Sequence, residues 1–489
     1  MSAAMEEGDD LPAEFQDRAP RPATATGIRH SWSASRRFVP RAFVQPFLGF
    51  AREEAASGLV MLAAALAAIV WANSPWQDAY HRLWETQLVI SLGDVLHLDH
   101  LDLRTWVNDA LMVVFFFVVG LEIKREIALG ELRDPKTIAL PIVVALGGMA
   151  VPALIFTAFN AGGEGSAGWG VPMATDIAFA VGVLSLVGRR VPVAAKLLLL
   201  TIAVVDDVGA IIVIAIFYTE ELALGWLVAA LLGLVAVAVM TRRDIRSSFP
   251  YVLVGAFVWL SLLESGVHAT LTGVTLGLMT PSWSFFDPRK FAANARPLVD
   301  QIDEHMSGDE VGAGSFERVQ SLLHNLSQLT TESVAPLDRL LHRLHLWSGF
   351  LVVPVFAFAN AGVTFSADAL RGAFTNTVVI GVFLGLVVGK AVGITGATWL
   401  VVQTGLGRLP RGVTWGHVFG LALCARIGFT VALFVTTLAY TDPALQDAAK
   451  IGIFAASILA GIAAYVWLRA VPDRDEPAQA HAVEATRHQ

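Results

Sequence analysis

Leu197-Leu198-Leu199-Leu200-Thr201-Ile202-Ala203-Val204-Val205-Asp206-Asp207-Val208-Gly209-Ala210-Ile211-Ile212-Val213-Ile214-Ala215-Ile216-Phe217 is an apolar run with two adjacent aspartates near its middle. About 20 such residues in a helix cross the hydrocarbon core of a bilayer. An ionisable group held in mid-membrane costs at least about 2.5 kcal/mol on insertion scales, so one that persists is a functional candidate. Neighbouring residues on a helix point about 100° apart. Asp206 and Asp207 therefore cannot both face one neighbouring helix, yet both can border one water-filled cavity. Hard cations such as Na+ or Li+ take oxygen ligands, and partly desolvated carboxylates supply oxygen and charge together. Such a pair holds protons or a metal cation, but not both comfortably, and it titrates as a coupled unit. Competition for one pair of carboxylates is the chemistry of exchange.

Outward from this run, apolar stretches alternate with short polar breaks from Gly58 onward. They read as twelve spans, at 57–73, 105–121, 138–159, 171–187, 195–218, 223–240, 250–264, 267–280, 347–364, 376–401, 416–440 and 450–469. Composition agrees: 55% of the 489 residues are hydrophobic and 16% charged, with a mean hydropathy of +0.61. That is too little charge to coat a water-exposed surface of this size, which excludes a soluble enzyme, a nucleic-acid binder and a disordered scaffold. The lone Cys424 excludes an internal disulfide framework and a cysteine-based metal site.

An even number of spans leaves both termini on one side. Counted from the N-terminus, with Lys196 and Arg469 at span ends and Lys450 at the edge of the last loop assigned to the segments they adjoin, alternate segments carry 28 Lys and Arg, the six intervening loops carry 4, and Lys390 and Arg426 alone remain within spans. By the positive-inside rule both termini are cytoplasmic. Residues 1–50 form a polar arm without the apolar core of a secretory signal, expected to be disordered. Residues 51–470 form the membrane domain, with a cytoplasmic loop at 281–345 and a tail at 471–489. The loop reads as a surface segment, with helical periodicity near Val319-Gln320-Ser321-Leu322-Leu323 and a helix feeding the ninth span. The first external connection, 87–99, reads either as a small hairpin about Gly93-Asp94 or as an irregular loop.

Asp109, Asp176, Lys390 and Arg426 join Asp206 and Asp207 inside spans, with Glu264 at a span end. Either these charges line a pathway or they pair among themselves for structural reasons. In the fourth span, Pro172 lacks an amide donor, and Thr175 and Asp176 offer side-chain acceptors to freed backbone, so a helix break is expected there. In the eleventh span, Arg426 and Gly428 mark a second break. Opposed half-helix ends carry about half a charge each, which a carboxylate such as Asp176 and a lysine such as Lys390 would offset. Breaks in matching places of two helix triplets, 138–218 and 376–469, indicate an inverted repeat with the site between them.

Trp106-Val107-Asn108-Asp109-Ala110-Leu111-Met112, Gly120-Leu121-Glu122-Ile123-Lys124-Arg125-Glu126, Ala174-Thr175-Asp176-Ile177-Ala178-Phe179, Val205-Asp206-Asp207-Val208-Gly209-Ala210, Ser265-Gly266-Val267-His268-Ala269-Thr270, Phe358-Ala359-Asn360-Ala361-Gly362-Val363 and Gly389-Lys390 together resemble the NhaA-type sodium/proton antiporters. The resemblance runs from about residue 46 to 470. It implies an all-α polytopic membrane protein of twelve transmembrane helices, with two inverted repeats and crossed discontinuous helices. It also implies a homodimer in the lipid bilayer of the bacterial cytoplasmic membrane, held partly by a hairpin at 87–99, with no cofactor and no nucleic-acid partner. The implied activity is pH-regulated, electrogenic exchange of cytoplasmic Na+ or Li+ for more than one external proton. Residue by residue, the resemblance makes Asp206 and Asp207 the cation and proton carriers, Thr175 and Asp176 the break of the fourth helix, Lys390 the essential lysine and Asp109 the second-helix aspartate. Glu122, Arg125, Glu126, His268, Arg339, His342 and His345 fall on the family's pH-sensing cluster.

Departures bear on the transfer. Arg426 stands where the family usually has glycine, and it either pairs with a site carboxylate or snorkels toward cytoplasmic water. Asp338, Leu341, Leu346 and Ala391 also depart from the family pattern. Each sensor residue has a plainer reading: His268 as a buried turn cap, His342 and His345 as one solvated helix face, and Glu122 to Glu126 as a charged helix end. Two rivals to the antiporter remain. An intramembrane aspartate enzyme would need a second Asp-rich motif, or else leave Asp207 and Lys390 unexplained. A sodium-coupled symporter would need polar substrate-binding side chains, and few occur in the spans.

Overall fold

The computed structural model describes residues 54–92, 96–98, 101–130, 135–219, 222–245, 247–307, 313–365 and 372–471. The N-terminal arm 1–50, and 472–489 of the tail, lie outside them. The described chain is almost wholly helical: α1 (Glu54–Ala72), α2 (Gln77–Trp84), α3 (Leu103–Leu129), α4 (Pro135–Asn160), a 3-10 segment (Glu164–Met173), α5 (Ile177–Val187), α6 (Val193–Phe217), α7 (Leu224–Arg242), α8 (Ser248–Leu263) and α9 (Leu271–Met279). These are followed by α10 (Phe291–Met306), α11 (Ala313–Glu332), α12 (Pro336–Asn360), α13 (Thr377–Gln403), α14 (Trp415–Cys424), α15 (Phe429–Ala439) and α16 (Pro443–Ala470). Local chemistry sets several of the boundaries. Asn376 caps α13 by accepting from Val378 and Val379 N–H, and Thr414 and His417 form a reciprocal cap on α14. Asp442 followed by Pro443 starts α16.

Every expected span coincides with a helix, but the lengths differ. Among the described residues seven helices are long and apolar enough to cross a membrane, and ten if each of three bent pairs counts as one span. At 16 and 9 residues, α8 and α9 fall short of the length test. The count of twelve thus exceeds what helix length alone supports. Two bent pairs fall where breaks were expected: the 3-10 segment with α5, at 43°, and α14 with α15, at 47°. The fourth span is not α-helical throughout, because its first half, which contains Pro172, winds as 3-10 helix.

The connection 87–99 forms a hairpin, with Ile90 paired to Leu98 and Leu92 to Leu96; the Gly93-Asp94 turn lies outside the described residues. The loop 281–345 holds one helix more than expected. The periodicity near Val319 belongs to α11, which packs against a further helix, α10, and the helix that feeds the ninth span is α12, beginning at Pro336. Lys450, at the edge between the last expected loop and the twelfth span, is well inside a helix: α16 starts at Pro443, and Lys450 is 5% exposed and 3.7 Å from Asp447.

Candidate functional site

The two broken helices meet at their breaks. Asp176 N–H donates to the carbonyl of Ile427 at 2.6 Å. Gly428 is required at this crossing, since a Cβ there would lie 2.8 Å from the carbonyl oxygen of Ala174. The Asp176 carboxylate caps both half-helices that begin here. Its Oδ1 accepts from Phe179 N–H of α5 at 3.1 Å. Its Oδ2 accepts from the N–H (3.1 Å) and the hydroxyl (2.6 Å) of Thr430 in α15. This is the offset of positive helix ends that an aspartate at the break was expected to supply.

Lys390 does something different from the role expected of it. Its Nζ lies 2.8 Å from Asp206 Oδ2 and 2.5 Å from Thr175 Oγ1, not on a helix-end carbonyl. Thr175 makes the link instead, with its hydroxyl 2.5 Å from Asp206 Oδ2 and 3.2 Å from the carbonyl of Ala425 at the end of α14. Lys390 is 0% exposed and directly follows a π-turn, Gly385–Gly389. One extra residue in a helical turn re-aims every side chain beyond it, so the turn helps bring the lysine to face α6. Asp206, 3% exposed, spends Oδ2 on Lys390 and Thr175, while its Oδ1 is buried with no hydrogen-bond partner. Asp207, 7% exposed, lies among the charges of Asp206, Glu122, Asp176 and Lys390.

Asp109 stands apart from this cluster, in a π-turn of α3, Val107–Leu111. The backbone carbonyl freed there accepts from Trp259 Nε1 at 2.6 Å. Its neighbour Asn108 makes a reciprocal amide pair with Asn360 of α12.

The sensor candidates divide into two places. His345 Nδ1 lies 3.9 Å from Glu122 Oε1, and the charges of Arg125 and Glu126 also act on Glu122. Arg339 and His342 share the helix of His345, with His342 exposed. His268 is elsewhere: its Nε2 lies 2.6 Å from the carbonyl of Tyr218, which is eleven residues beyond Asp207, or about 16 Å along the helix.

Arg426 follows neither alternative fully. It is 8% exposed, and among the described residues no ion pair joins it to a carboxylate. Its guanidinium lies 6.0 Å from the ring centroid of Phe419, turned back along α14. The sequence reading missed Thr430. Its only signal was a hydroxyl two residues past Gly428, which points to a cap but not to the aspartate it would meet.

A family described as Na+/H+ antiporter 1 matches residues 49–468. The protein named Na(+)/H(+) antiporter NhaA of Oleidesulfovibrio alaskensis is 45% identical over 438 residues, 89% of this chain and 96% of its own. Na(+)/H(+) antiporter NhaA 2 of Sorangium cellulosum is 42% identical over 93% of this chain and 95% of its own. The NhaA of Rhodopirellula baltica is 44% identical over 88% and 96%. A solved sodium proton antiporter from Methanocaldococcus jannaschii aligns with 87% of this chain and 97% of its own at 14% identity. Its TM-score of 0.43 is too low to bear on the fold.

Proposed function

The chain belongs to the Na+/H+ antiporter 1 family, and from that premise we propose that it exchanges cytoplasmic Na+ or Li+ for external protons at Asp206 and Asp207. The observation that carries this is the unequal state of the Asp206 oxygens, one held by Lys390 and Thr175 and the other buried without a partner. An oxygen of that kind is a ready ligand for a hard cation. Na+ takes Asp206 Oδ1 with help from Asp207; the Lys390–Asp206 ion pair opens, Lys390 gives up its ammonium proton and the Asp207 carboxyl gives up another. Protons arriving from the other side restore the Lys390 ammonium and neutralise Asp207, so the ion pair re-forms on Asp206 and the cation leaves. More than one proton thus crosses for each Na+, and the exchange moves net charge. Thr175 positions Asp206, and Asp176 holds the break in place.

The multi-pass protein lies in a lipid bilayer. We place it in the bacterial cytoplasmic membrane with twelve spans, both termini cytoplasmic and the 51–470 domain arranged as an inverted repeat. A homodimer would join through the hairpin at β1 (Ile90–Leu92) and β2 (Leu96–Leu98). The set Glu122, Arg125, Glu126, His268, Arg339, His342 and His345 would tune the exchange to pH. The Glu122–His345 approach, together with the charge of Glu122 acting on Asp207, supports the first part of that set. As a member of this family the chain is a transporter and not an enzyme, and the symporter reading finds no support.

The test is Na+-induced collapse of a preset pH gradient in proteoliposomes across the neutral to alkaline range. Purified protein gives dequenching on Na+ addition that is lost in Asp206→Asn and in Asp207→Asn. Exchange persisting in both variants overturns the site assignment.

A further inference from the structure

Arg426 is the one positive charge among the intramembrane sequence candidates for which the proposed mechanism has no use. Its backbone is built into the site: the carbonyl of Ala425 accepts from Thr175 Oγ1, and the carbonyl of Ile427 accepts from Asp176 N–H. Its side chain turns away over Phe419, which stacks edge-on against Trp467 at 4.8 Å. Nε is buried without a hydrogen-bond partner, and no carboxylate among the described residues neutralises the guanidinium. Arginine does not give up its proton in proteins. A full positive charge therefore stands inside the membrane domain.

The distinction from Lys390 is physical. Lys390 is paired with Asp206 at 2.8 Å, so its field is largely cancelled a short way off. An unpaired charge keeps its long-range field. Ala425 O is 3.2 Å from Thr175 Oγ1, which is 2.5 Å from Asp206 Oδ2. Adding one peptide unit and the reach of an arginine keeps the guanidinium within about 15 Å of that carboxylate. At this range and an effective dielectric of about 20, a unit charge changes cation occupancy by about three- to tenfold.

We infer that Arg426 is a standing positive charge that weakens Na+ and Li+ binding at Asp206 and Asp207, and so sets the apparent affinity of this antiporter without itself exchanging with the ion. The inference rests on the assignment of those aspartates as the cation site. Arg426→Gln keeps polarity and much of the length while removing the charge, whereas Arg426→Lys keeps the charge and loses the guanidinium that lies over Phe419.

In proteoliposomes at alkaline pH, where protons compete least, Arg426→Gln lowers the KM for Na+ and for Li+ alike by about three- to tenfold. Arg426→Lys stays within about twofold of the native chain. Unchanged KM in the Gln variant overturns the inference, as does an equal shift in Gln and Lys, which would assign the effect to packing. If the Gln variant does not fold, Arg426→Met against Arg426→Lys carries the same test, with Phe419→Leu as a control that leaves the charge and therefore KM in place. Absence of Na+-dependent exchange in the native chain would instead remove the functional reading beneath it.

Discussion

Two buried carboxylates, Asp176 and Asp206, lie close together and are each 3% exposed, yet they are held in opposite ways. Asp176 accepts three hydrogen bonds from Phe179 and Thr430, using both oxygens, and ties together two half-helices from different parts of the chain. Asp206 has both its contacts on Oδ2 and leaves Oδ1 without a partner. Fixed donors on both oxygens commit Asp176 to the fold, while Oδ1 of Asp206 is the oxygen that the proposed cation site uses. Both side chains are equally buried, so burial does not separate them. The supply of donors does, and on the proposed function it divides an aspartate that holds the break from one that binds the ion.

The sharpest way to break this contrast is to neutralise each aspartate in turn. Asp206→Asn should reduce Na+-driven dequenching to the level of empty vesicles in a protein that still folds; because it leaves the buried Lys390 without its carboxylate, a lower melting temperature accompanies the loss. Next in size is Lys390→Met, which strands Asp206 as an unpaired buried charge. Breaking such a pair costs about 3 to 5 kcal/mol, to be read as a large drop in thermal stability that Lys390→Arg partly restores.

Asp176→Asn should differ from Asp206→Asn in keeping exchange. Its remaining oxygen still caps one helix, but an amide NH2 now faces the N–H of Thr430, at a cost of about 1 to 3 kcal/mol. Lower stability with measurable exchange is expected, and complete loss of exchange with native stability would erase the distinction. The smallest effect belongs to Thr430→Val, which removes one of the three donors to Asp176. About 1.5 kcal/mol of stability should be lost, with no change in KM for Na+. A changed KM would mean that Asp176 contributes to the ion site directly.

Much of the fold was legible because a bilayer imposes a length and a polarity on every helix. The apolar runs, the fourth-span break at Pro172 and the eleventh-span break at Gly428 all lay where hydropathy and backbone chemistry put them. Less legible were the features that depend on where a helix starts or what it meets. The start of α16 at Pro443 moved Lys450 from the edge of a loop into a buried helix, and polar periodicity in the 281–345 loop concealed α10. The π-turns before Lys390 and around Asp109 carry no composition signature, because they arise from packing against other helices.

The amino-acid sequence alone determined that this is a polytopic helical membrane protein and which charged residues lie inside it, since the expense of charge in lipid depends only on position along an apolar run. The tertiary structure alone decided the partnerships. Thr175, Asp206, Lys390 and Thr430 are far apart in the chain, and only the meeting of two broken helices beside α6 and α13 gives Lys390 to Asp206, Thr430 to Asp176 and, among the described residues, no counter-ion to Arg426. Hydropathy registers that a charge is buried, but the direction and distance to its nearest donor are set by helix crossings that no local pattern encodes.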